Sequence, residues 1–336
     1  MLVIPQKSRV PSAKKRPQCP RSKKHNMKFG LIGHPIAHSL SPALFKAGYD
    51  GRYPYELIET ADFEEAYERF LEGYDGINVT APFKELAFAK ADILSPECKT
   101  IEATNLLVKT PEGIKAYNSD YLGVRMWLTE KLRNLGWKEM ASTEPFDVLS
   151  ACEKRAIPLA AGIGEWLRNS PVDCFNEPAR SEGVGGVLFA ADTHRMGKAL
   201  IFGLGGAGKA AAAAAESLGM EVIRMNRTIK DDTTRPLDDF RECFHEADII
   251  IYTIPTAIPS LNELTDNDFA PGNPKFIMEA NYKNPSFDEA FINRMKEANP
   301  LAEYTGGKTW LLYQAVTGYE LFTGEKPDLA NMSDVL

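Results

Sequence analysis

A stretch of fewer than thirty residues constrains the fold of this chain more than any other part of it. The apolar run 199–202 leads into the glycine-rich turn 203–208, the Ala-rich segment 209–216 follows, and a β-type run occupies 221–225. Alanine has the highest helix propensity, and Gly219 marks the expected end of that helix. The order of strand, glycine turn, helix and strand predicts a βαβ unit, whose two strands lie parallel.

The glycines of this turn follow the pattern Gly-x-Gly-x-x-Gly. In a βαβ unit the first glycine permits the tight turn, the second admits a pyrophosphate to the backbone, and the third lets the helix pack on the strand. Free N–H groups at the helix N-terminus also favour phosphate. Glycine turns occur without any ligand, but the flanking strands and helix favour a dinucleotide site here. Its predicted members are Gly203, Gly205, Gly206, Ala207 and Gly208.

The residues after the second strand indicate which dinucleotide is bound. An Asp or Glu at that position is typical of NAD-binding proteins, because its carboxylate accepts hydrogen bonds from the ribose hydroxyls. This chain instead has Asn226, Arg227 and Thr228, preceded by Arg224. A guanidinium with amide and hydroxyl neighbours suits a 2′-phosphate, so the sequence predicts NADP. The alternative interpretation is an exposed arginine without a ligand.

The composition is that of an ordinary globular protein, since 44% of the 336 residues are hydrophobic and 25% are charged. This length favours about two domains, and no apolar run reaches the roughly 18 residues of a membrane-spanning helix. The five cysteines are scattered and form no Cys-x-x-Cys pair, which argues against a zinc site or a disulfide framework. We therefore expect a cytoplasmic protein with neither a metal nor a membrane partner.

The basic charge is concentrated at the N-terminus. Residues 1–26 contain eight Lys or Arg and no acid, which leaves 31 basic against 46 acidic residues in 27–336. A body with so large an acidic excess is a poor nucleic-acid partner. We expect residues 1–26 to form a disordered basic tail without an assigned function. The lack of acids is also typical of an organelle transit peptide, but the prolines disfavour the helix that such a peptide requires.

Strand-like and helix-like segments also alternate over 27–125, with a strand-like run at 101–109 among them. This alternation predicts an α/β unit with a largely parallel sheet. Residues 138–197 fit neither pattern, and we interpret them as an atypical insertion or linker. The sequence thus predicts an α/β fold of two domains, an N-terminal α/β substrate domain at 27–125 and a C-terminal Rossmann-type NADP-binding domain at 198–306. Helices within 307–336 are expected to return to the first domain.

Three segments of the first unit carry reactive side chains. Ser39 and Ser41 precede Pro42 at a predicted helix start, where hydroxyls and free N–H groups favour a carboxylate. A simple N-cap role for Ser41 is an equal alternative. Lys84 follows a strand end, and Asp120 lies just before another predicted helix. Each alone is typical of a solvated helix residue or a helix cap, but together they suit proton transfer to an oxygen whose carbon receives hydride.

These segments and the glycine turn occur in the order found in the shikimate dehydrogenases, including the quinate/shikimate dehydrogenases, and the chain resembles that family. The resemblance covers residues 27 to about 127 and 198 to about 326. Its carriers are Ser39-Leu-Ser41-Pro42, Asn78-Val-Thr80 with Pro82 and Lys84, Ala103-Thr-Asn105, Asn118-Ser-Asp120, the glycine turn, Asn226-Arg227-Thr228, and Gly307 through Gln314-Ala315.

The resemblance implies NADPH-dependent, reversible reduction of 3-dehydroshikimate to shikimate, a step of chorismate and aromatic amino acid biosynthesis. Lys84 and Asp120 form the implied catalytic pair, in which the lysine donates a proton to the carbonyl oxygen and the carboxylate orients the lysine or a substrate hydroxyl. The implied substrate-binding residues are Ser39, Ser41, Thr80, Asn105, Tyr282 and Gln314, and Gly307 joins the cofactor-binding set. We expect a small-molecule partner, no nucleic acid, and a monomer or homodimer.

The chain departs from the family pattern at several positions. Glu102 stands where the family commonly has glycine, and a need for positive φ there would strain the loop that carries Asn105. The other departures are Tyr252 for asparagine and Ala257 for glycine near the nicotinamide, Glu279 for aspartate, and Trp310 for methionine. They leave two alternatives open, a quinate or quinate/shikimate dehydrogenase and a non-catalytic NADP(H)-binding sensor.

Overall fold

The computed structural model describes residues 27–134, 197–229, 231–269 and 275–336. The predicted tail at 1–26 and nearly all of the predicted insertion at 138–197 lie outside these ranges. Within them the chain forms two six-stranded sheets, each with helices packed against it. This arrangement confirms the predicted α/β fold with two domains. None of the helices in the described ranges combines the length and the apolarity that crossing a membrane requires.

The N-terminal sheet has the strand order β2-β1-β3-β5-β6-β4. Its strands are β1 (Phe29–Gly33), β2 (Tyr55–Glu59), β3 (Gly76–Val79), β4 (Ile93–Leu94), β5 (Leu106–Thr110) and β6 (Gly113–Tyr117). Strand β1 pairs in parallel with β2 and β3, whereas β5 is antiparallel to both β3 and β6. Only residues 111–112 join β5 to β6, and so short a connection permits only a hairpin. The expected largely parallel sheet is therefore mixed.

The helices of this part are α1 (Ser41–Gly48), α2 (Phe63–Gly73), α3 (Lys84–Ala89), α4 (Pro96–Ile101) and α5 (Ser119–Asn134). Two local predictions are wrong. Ser41 is not the N-cap of α1, because Leu40 occupies that position and Ser41 is the first helical residue. The strand expected over 101–109 begins only at Leu106, because α4 occupies the chain up to Ile101.

The C-terminal sheet is parallel throughout and has the order β12-β11-β10-β7-β8-β9. Its strands are β7 (Lys198–Phe202), β8 (Glu221–Met225), β9 (Thr234–Arg235), β10 (Ile249–Tyr252), β11 (Phe276–Glu279) and β12 (Glu303–Thr305), and its helices are α6 (Gly206–Ser217), α7 (Phe240–Glu246) and α8 (Glu289–Ala298). The chain leaves β7 toward β8 and later returns on the other side as β10. In open parallel sheets such a reversal of strand order creates a crevice that binds ligands.

Helix α6 explains how the two sheets are joined. The six alanines at 210–215 are all buried, and they form one core with Val124, Trp127 and Leu128 of α5. Small side chains let two helices approach closely, and a helix that is apolar on every face is a buried one. Helix α5 therefore follows the first sheet in the chain but packs into the core of the second.

The remaining helices, α9 (Gly307–Thr323) and α10 (Leu329–Ser333), end the described chain. A Cβ on Gly123 of α5 would lie only 2.7 Å from the backbone nitrogen of Gln314 on α9, so the two helices cross at a contact that only glycine permits. The later residues Tyr319 and Phe322 pack with Phe29 and Phe45 in the first core. Helix α9 thus contacts both domains.

Glu102 has the left-handed backbone that the sequence comparison with the family suggests. Its φ is +58°, and it ends α4 as the C-cap. Among the described residues the other non-glycine with positive φ is Asp50, a residue type that tolerates this region better. The left-handed conformation costs an L-residue roughly 1–2 kcal/mol, and glycine avoids that cost.

We expect Glu102→Gly to raise the free energy of unfolding by about 1 kcal/mol, because part of the relieved strain is offset by the greater freedom of glycine in the unfolded chain. Urea denaturation monitored by circular dichroism measures this difference. Glu102→Ala is the matched control, because alanine keeps the strain and should give no such gain. Equal effects of the two substitutions would contradict the interpretation.

Candidate active site

A pocket of about 290 Å³ lies where β1 and β3 end, between the first residues of α1, α3 and α5 and the middle of α9. Its polar lining includes every residue that the sequence predicts to bind substrate or to act in catalysis. These are Ser39, Ser41, Thr80, Lys84, Asn105, Asp120, Tyr282 and Gln314. The positions span more than 270 residues of the chain, so the fold alone brings them together.

Lys84 and Asp120 form an ion pair inside this pocket. Lys84 is the first residue of α3, and Asp120 lies in the first turn of α5. Their side chains are 21% and 9% exposed, so both charges are largely removed from bulk water while the ammonium remains accessible. An ammonium held in this way can stabilise and protonate a developing oxyanion.

A buried network fixes the helix start that carries Asp120. The side-chain oxygen of Asn118 accepts a hydrogen bond from the N–H of Tyr121, so Asn118 is the cap of α5. Its amide nitrogen donates to the carbonyl of Ala103, and its backbone N–H donates to the buried carboxylate of Glu97. Burial raises the pKa of Glu97, although the hydroxyl of Ser95 and the N–H of Asn118 oppose that shift by hydrogen bonding. The alternative that Asp120 itself caps the helix is thus wrong, because Asn118 takes that place.

Asn105 is held by a two-pronged contact with Ser119. The backbone N–H of Ser119 donates to Oδ1 of Asn105 at 2.7 Å, and Nδ2 of Asn105 donates to the hydroxyl of Ser119 at 3.0 Å. This pairing fixes which end of the amide faces the pocket. One N–H of Asn105 remains for a ligand.

The two predicted carboxylate-binding serines lie together at the start of α1. The hydroxyl of Ser39 donates to Oγ of Ser41 at 3.2 Å, and it accepts from the backbone N–H of Ser41. The hydroxyl hydrogen of Ser41 is therefore left for another acceptor. Hydroxyls and free N–H groups at a helix N-terminus suit a carboxylate.

The pocket also contains polar residues to which the sequence analysis assigns no role. Asn78, Ser119, Tyr319 and His38 line it. Strand alternation gives a signal for Asn78, since side chains two residues apart point to the same face and Thr80 is already a predicted site residue. The chain has no comparable signal for Tyr319, because it reaches the pocket from a helix whose position depends on the tertiary fold.

The glycine turn has the close contacts that its pattern requires. Gly203 has a φ of +93°, and a Cβ there would lie 2.7 Å from side-chain atoms of Thr253 and Ile254. A Cβ on Gly208 would overlap the carbonyl oxygen of Gly203, whereas one on Gly205 would meet open space. The first and third glycines thus serve packing, and the second leaves the backbone open to a ligand.

The glycine turn also lies beside the Lys84 side chain. A Cβ on Gly206 would be 3.6 Å from Cδ of Lys84. The next residue, Ala207, is partly buried and packs against the core that α5 and α6 share. The predicted cofactor turn and the Lys84–Asp120 pair therefore lie in one cleft.

Gly307, the last predicted member of the cofactor-binding set, begins α9. A Cβ there would overlap the carbonyl of Ala280 and lie 2.9 Å from the backbone nitrogen of Tyr282. The absence of a side chain at Gly307 thus lets the start of α9 approach the loop that carries Tyr282.

Two arginines lie at the end of β8 and just after it, and only one of them is in an ion pair within the described part of the chain. Arg224 forms an ion pair with Glu216 at the end of α6. Arg227 and Thr228 are exposed, and the amide of Asn226 donates to the carbonyl of Thr228 at 3.0 Å. Of the two arginines, Arg227 is therefore the one with a guanidinium available for a 2′-phosphate.

The departures from the family pattern have structural partners. Tyr252 is fully buried, stacks on Phe202 with ring centroids 4.9 Å apart, and donates its hydroxyl to the carbonyl of Thr256. Glu279 is buried and accepts hydrogen bonds from Tyr304 and from the backbone of Ser286.

Ala257, in the loop that follows Tyr252, is exposed. The indole N–H of Trp310 donates to the backbone carbonyl of Asp120 at 3.4 Å. The structure thus accommodates Trp310 beside the Lys84–Asp120 pair.

The two halves of the chain match different family models. Residues 31–107 match the model of the shikimate dehydrogenase substrate binding domain. Residues 187–270 match the model of the D-isomer specific 2-hydroxyacid dehydrogenase, NAD binding domain. The first match includes β1 to β3, where much of the pocket lies, and the second includes the glycine turn.

Curated proteins similar to this chain are also described as shikimate dehydrogenases. The shikimate dehydrogenase of Thermotoga petrophila is 37% identical over 103 residues, which are 29% of this chain and 39% of that protein. The chain spans about two-fifths of the length of the first curated relatives that it matches. The shikimate dehydrogenase (NADP(+)) of Carboxydothermus hydrogenoformans is 24% identical over 329 residues, covering 91% of this chain and 95% of that protein.

Solved structures match over nearly the whole length. Shikimate 5-dehydrogenase from Thermus thermophilus, in complex with shikimate, has a TM-score of 0.59 at 24% identity, covering 92% of this chain and 97% of its own. Quinate dehydrogenase from Corynebacterium glutamicum, in complex with NAD, has a TM-score of 0.57 at 16% identity, covering 92% and 98%. At these identities the likeness establishes the fold. With the family model and the curated relatives, it confirms the resemblance to shikimate dehydrogenases that the motifs indicate.

Proposed function

We propose that this chain, which resembles the shikimate dehydrogenases, catalyses the NADPH-dependent, reversible reduction of 3-dehydroshikimate to shikimate. One observation carries the proposal: all eight residues predicted for substrate and catalysis line one pocket, and the glycine turn lies against its lysine. The names of the curated relatives, including shikimate dehydrogenases described as NADP(+)-dependent, support the same reaction.

Each part of the pocket suits one part of such a substrate. The hydroxyls of Ser39 and Ser41 and the start of α1 receive the carboxylate. Ring hydroxyls are bound by the polar side chains around the ring, namely Thr80, Asn105, Asp120, Tyr282 and Gln314. Tyr282 extends from the loop after β11 of the cofactor domain, so substrate contacts come from both domains.

The Lys84–Asp120 pair carries the proton transfer. NADPH supplies the hydride when it is bound in the cleft. Negative charge then grows on the carbonyl oxygen, and Lys84 stabilises that charge and donates a proton to it. Asp120 holds the ammonium in place, and in the reverse direction the same lysine accepts the proton from the substrate hydroxyl.

The second domain fits NADP better than NAD. Gly205 leaves the backbone open, and the N-terminus of α6 offers its free N–H groups to a pyrophosphate. Arg227 is exposed beside Asn226 and Thr228, which suits the additional charge of a 2′-phosphate. Gly203, Gly206, Ala207, Gly208 and Gly307 shape the same cleft.

The proposal includes a cytoplasmic enzyme of chorismate and aromatic amino acid biosynthesis that acts as a monomer or homodimer. Its partners are small molecules, with no nucleic acid and no membrane among them. The large acidic excess of residues 27–336 supports the exclusion of nucleic acid.

The direct test follows absorbance of the reduced cofactor when the purified full-length protein meets NADP and shikimate. Parallel reactions contain quinate in place of shikimate and NAD in place of NADP. We expect rapid reduction with shikimate and NADP and much slower reduction in the other reactions. Faster turnover with quinate would reassign the substrate, and cofactor binding without turnover of either acid would instead indicate a sensor.

A further inference from the structure

Two phenols, those of Tyr55 and Tyr319, adjoin the polar wall of the pocket, and Tyr319 is itself part of the lining. Tyr55 is on β2 and Tyr319 is on α9, and both rings pack on Phe45 with centroids 4.7 Å from it. Tyr319 is 2% exposed, and burial raises the pKa of both phenols, against which the hydroxyl of Ser41 acts by hydrogen bonding. Both groups thus remain protonated hydrogen-bond donors.

Tyr55 determines which end of the Asn78 amide faces the pocket. Its hydroxyl donates to Oδ1 of Asn78 at 2.8 Å, while Nδ2 of Asn78 lies 3.4 Å from the carbonyl oxygen of Asn105. With the oxygen engaged, Asn78 can offer only N–H to a ligand in the pocket. Without the phenol hydroxyl, a half-turn of the amide would replace that donor by an acceptor.

Tyr319 holds the backbone of Ser41. Its hydroxyl donates to the backbone carbonyl of Ser41 at 3.1 Å, across 278 positions of sequence. Ser41 is thus held through its Oγ by Ser39 and through its backbone carbonyl by Tyr319, at the edge of the pocket where α1 begins. A ligand rich in carboxylate and hydroxyl oxygens requires such a fixed helix start and the donor N–H of Asn78.

We propose that Tyr55 and Tyr319 are positioning residues, which keep Asn78 oriented as a hydrogen-bond donor and hold Ser41 in place to receive the acid substrate. This inference rests on the proposed function, since the ligand is the polyhydroxy acid of that reaction. Neither phenol transfers a proton to the substrate. Their effect is on substrate affinity rather than on the chemical step.

Tyr55→Phe and Tyr319→Phe remove one hydroxyl each and preserve the ring packing. We expect each to raise KM and Kd for shikimate about two- to tenfold, the range of one net hydrogen bond. The kcat value and the KM for NADP should change less than about twofold, because neither residue contacts the cofactor turn. Steady-state kinetics and calorimetric titration with shikimate give these constants.

Tyr313→Phe is the matched control on the same helix, because its hydroxyl donates to Glu130 rather than to a pocket residue. It should leave KM for shikimate unchanged, whatever it does to the melting temperature. If all three variants lower stability and none changes the affinity for shikimate, the two phenols are merely structural and the inference is overturned.

A double-mutant cycle isolates the action of Tyr55. If Tyr55 acts through Asn78, Tyr55→Phe should have almost no further effect on the affinity of an Asn78→Ala protein. Additive effects of the two substitutions would contradict the inference. Failure of the unmutated protein to bind or oxidise shikimate would instead overturn the proposed function, so the two failures are distinguishable.

Discussion

Replacing Lys84 by methionine is expected to lower kcat for shikimate oxidation by about 10²–10⁴-fold, the usual contribution of a positioned general acid or base. Methionine keeps most of the length of the side chain but removes the ammonium. The oxygen then has no proton acceptor in one direction and no donor in the other. Steady-state assays with NADP and shikimate measure the loss, and the Kd for NADP should remain within a few-fold of its original value.

Lys90→Met is the matched control for this substitution. Lys90 lies six residues after Lys84, immediately beyond the end of α3. It forms a partly exposed ion pair with Glu64 on the surface. Its loss should leave kcat unchanged. If Lys84→Met retained kcat within about threefold of the unmutated enzyme, Lys84 would have no catalytic role, and the proton would have to move through another group of the pocket.

The nucleotide-binding part of the fold follows directly from local sequence. The glycine turn needs residues without Cβ at fixed spacings, and the alanines after it favour a helix whatever surrounds it. Strand β8 has the predicted bounds, and β7 begins one residue earlier than predicted. In contrast, α7 and α8 are not predicted, because their apolar patterns are too short to indicate a helix without the sheet against which they pack.

The candidate site is harder to predict from local sequence than the glycine turn is. Its reactive residues come from short motifs, each ambiguous alone, and their combination points to one site only through the family resemblance. The supporting contacts cannot be predicted from local sequence. The hydroxyl of Tyr319 meets Ser41 across most of the chain, and Trp310 reaches Asp120 across 190 positions. These contacts depend on where α9 crosses α5, which is set by the absence of a side chain on Gly123.

Glu320→Gln is expected to change how stability depends on pH. Glu320 lies on α9 and is 5% exposed, and burial raises its pKa to about 7, while the ammonium of Lys326 partly opposes that shift. Between about pH 4.5 and 7 the unfolded chain has already lost a proton that the folded protein still holds. The contribution of this group to the free energy of unfolding is therefore full below pH 4.5 and is lost as the pH rises to about 7.

Glutamine resembles the protonated acid, so Glu320→Gln should abolish this part of the pH dependence. A shift from 4.5 to about 7 corresponds to about 3 kcal/mol, and we expect the variant to be more stable at pH 8 by up to that amount. Urea denaturation of both proteins at pH 5, 6, 7 and 8 gives the difference curve. Glu325→Gln is the control, because Glu325 is exposed beside Arg52 and should alter stability little at any pH. Parallel stability curves for the unmutated protein and Glu320→Gln would show that Glu320 is ionised in the folded protein throughout this range.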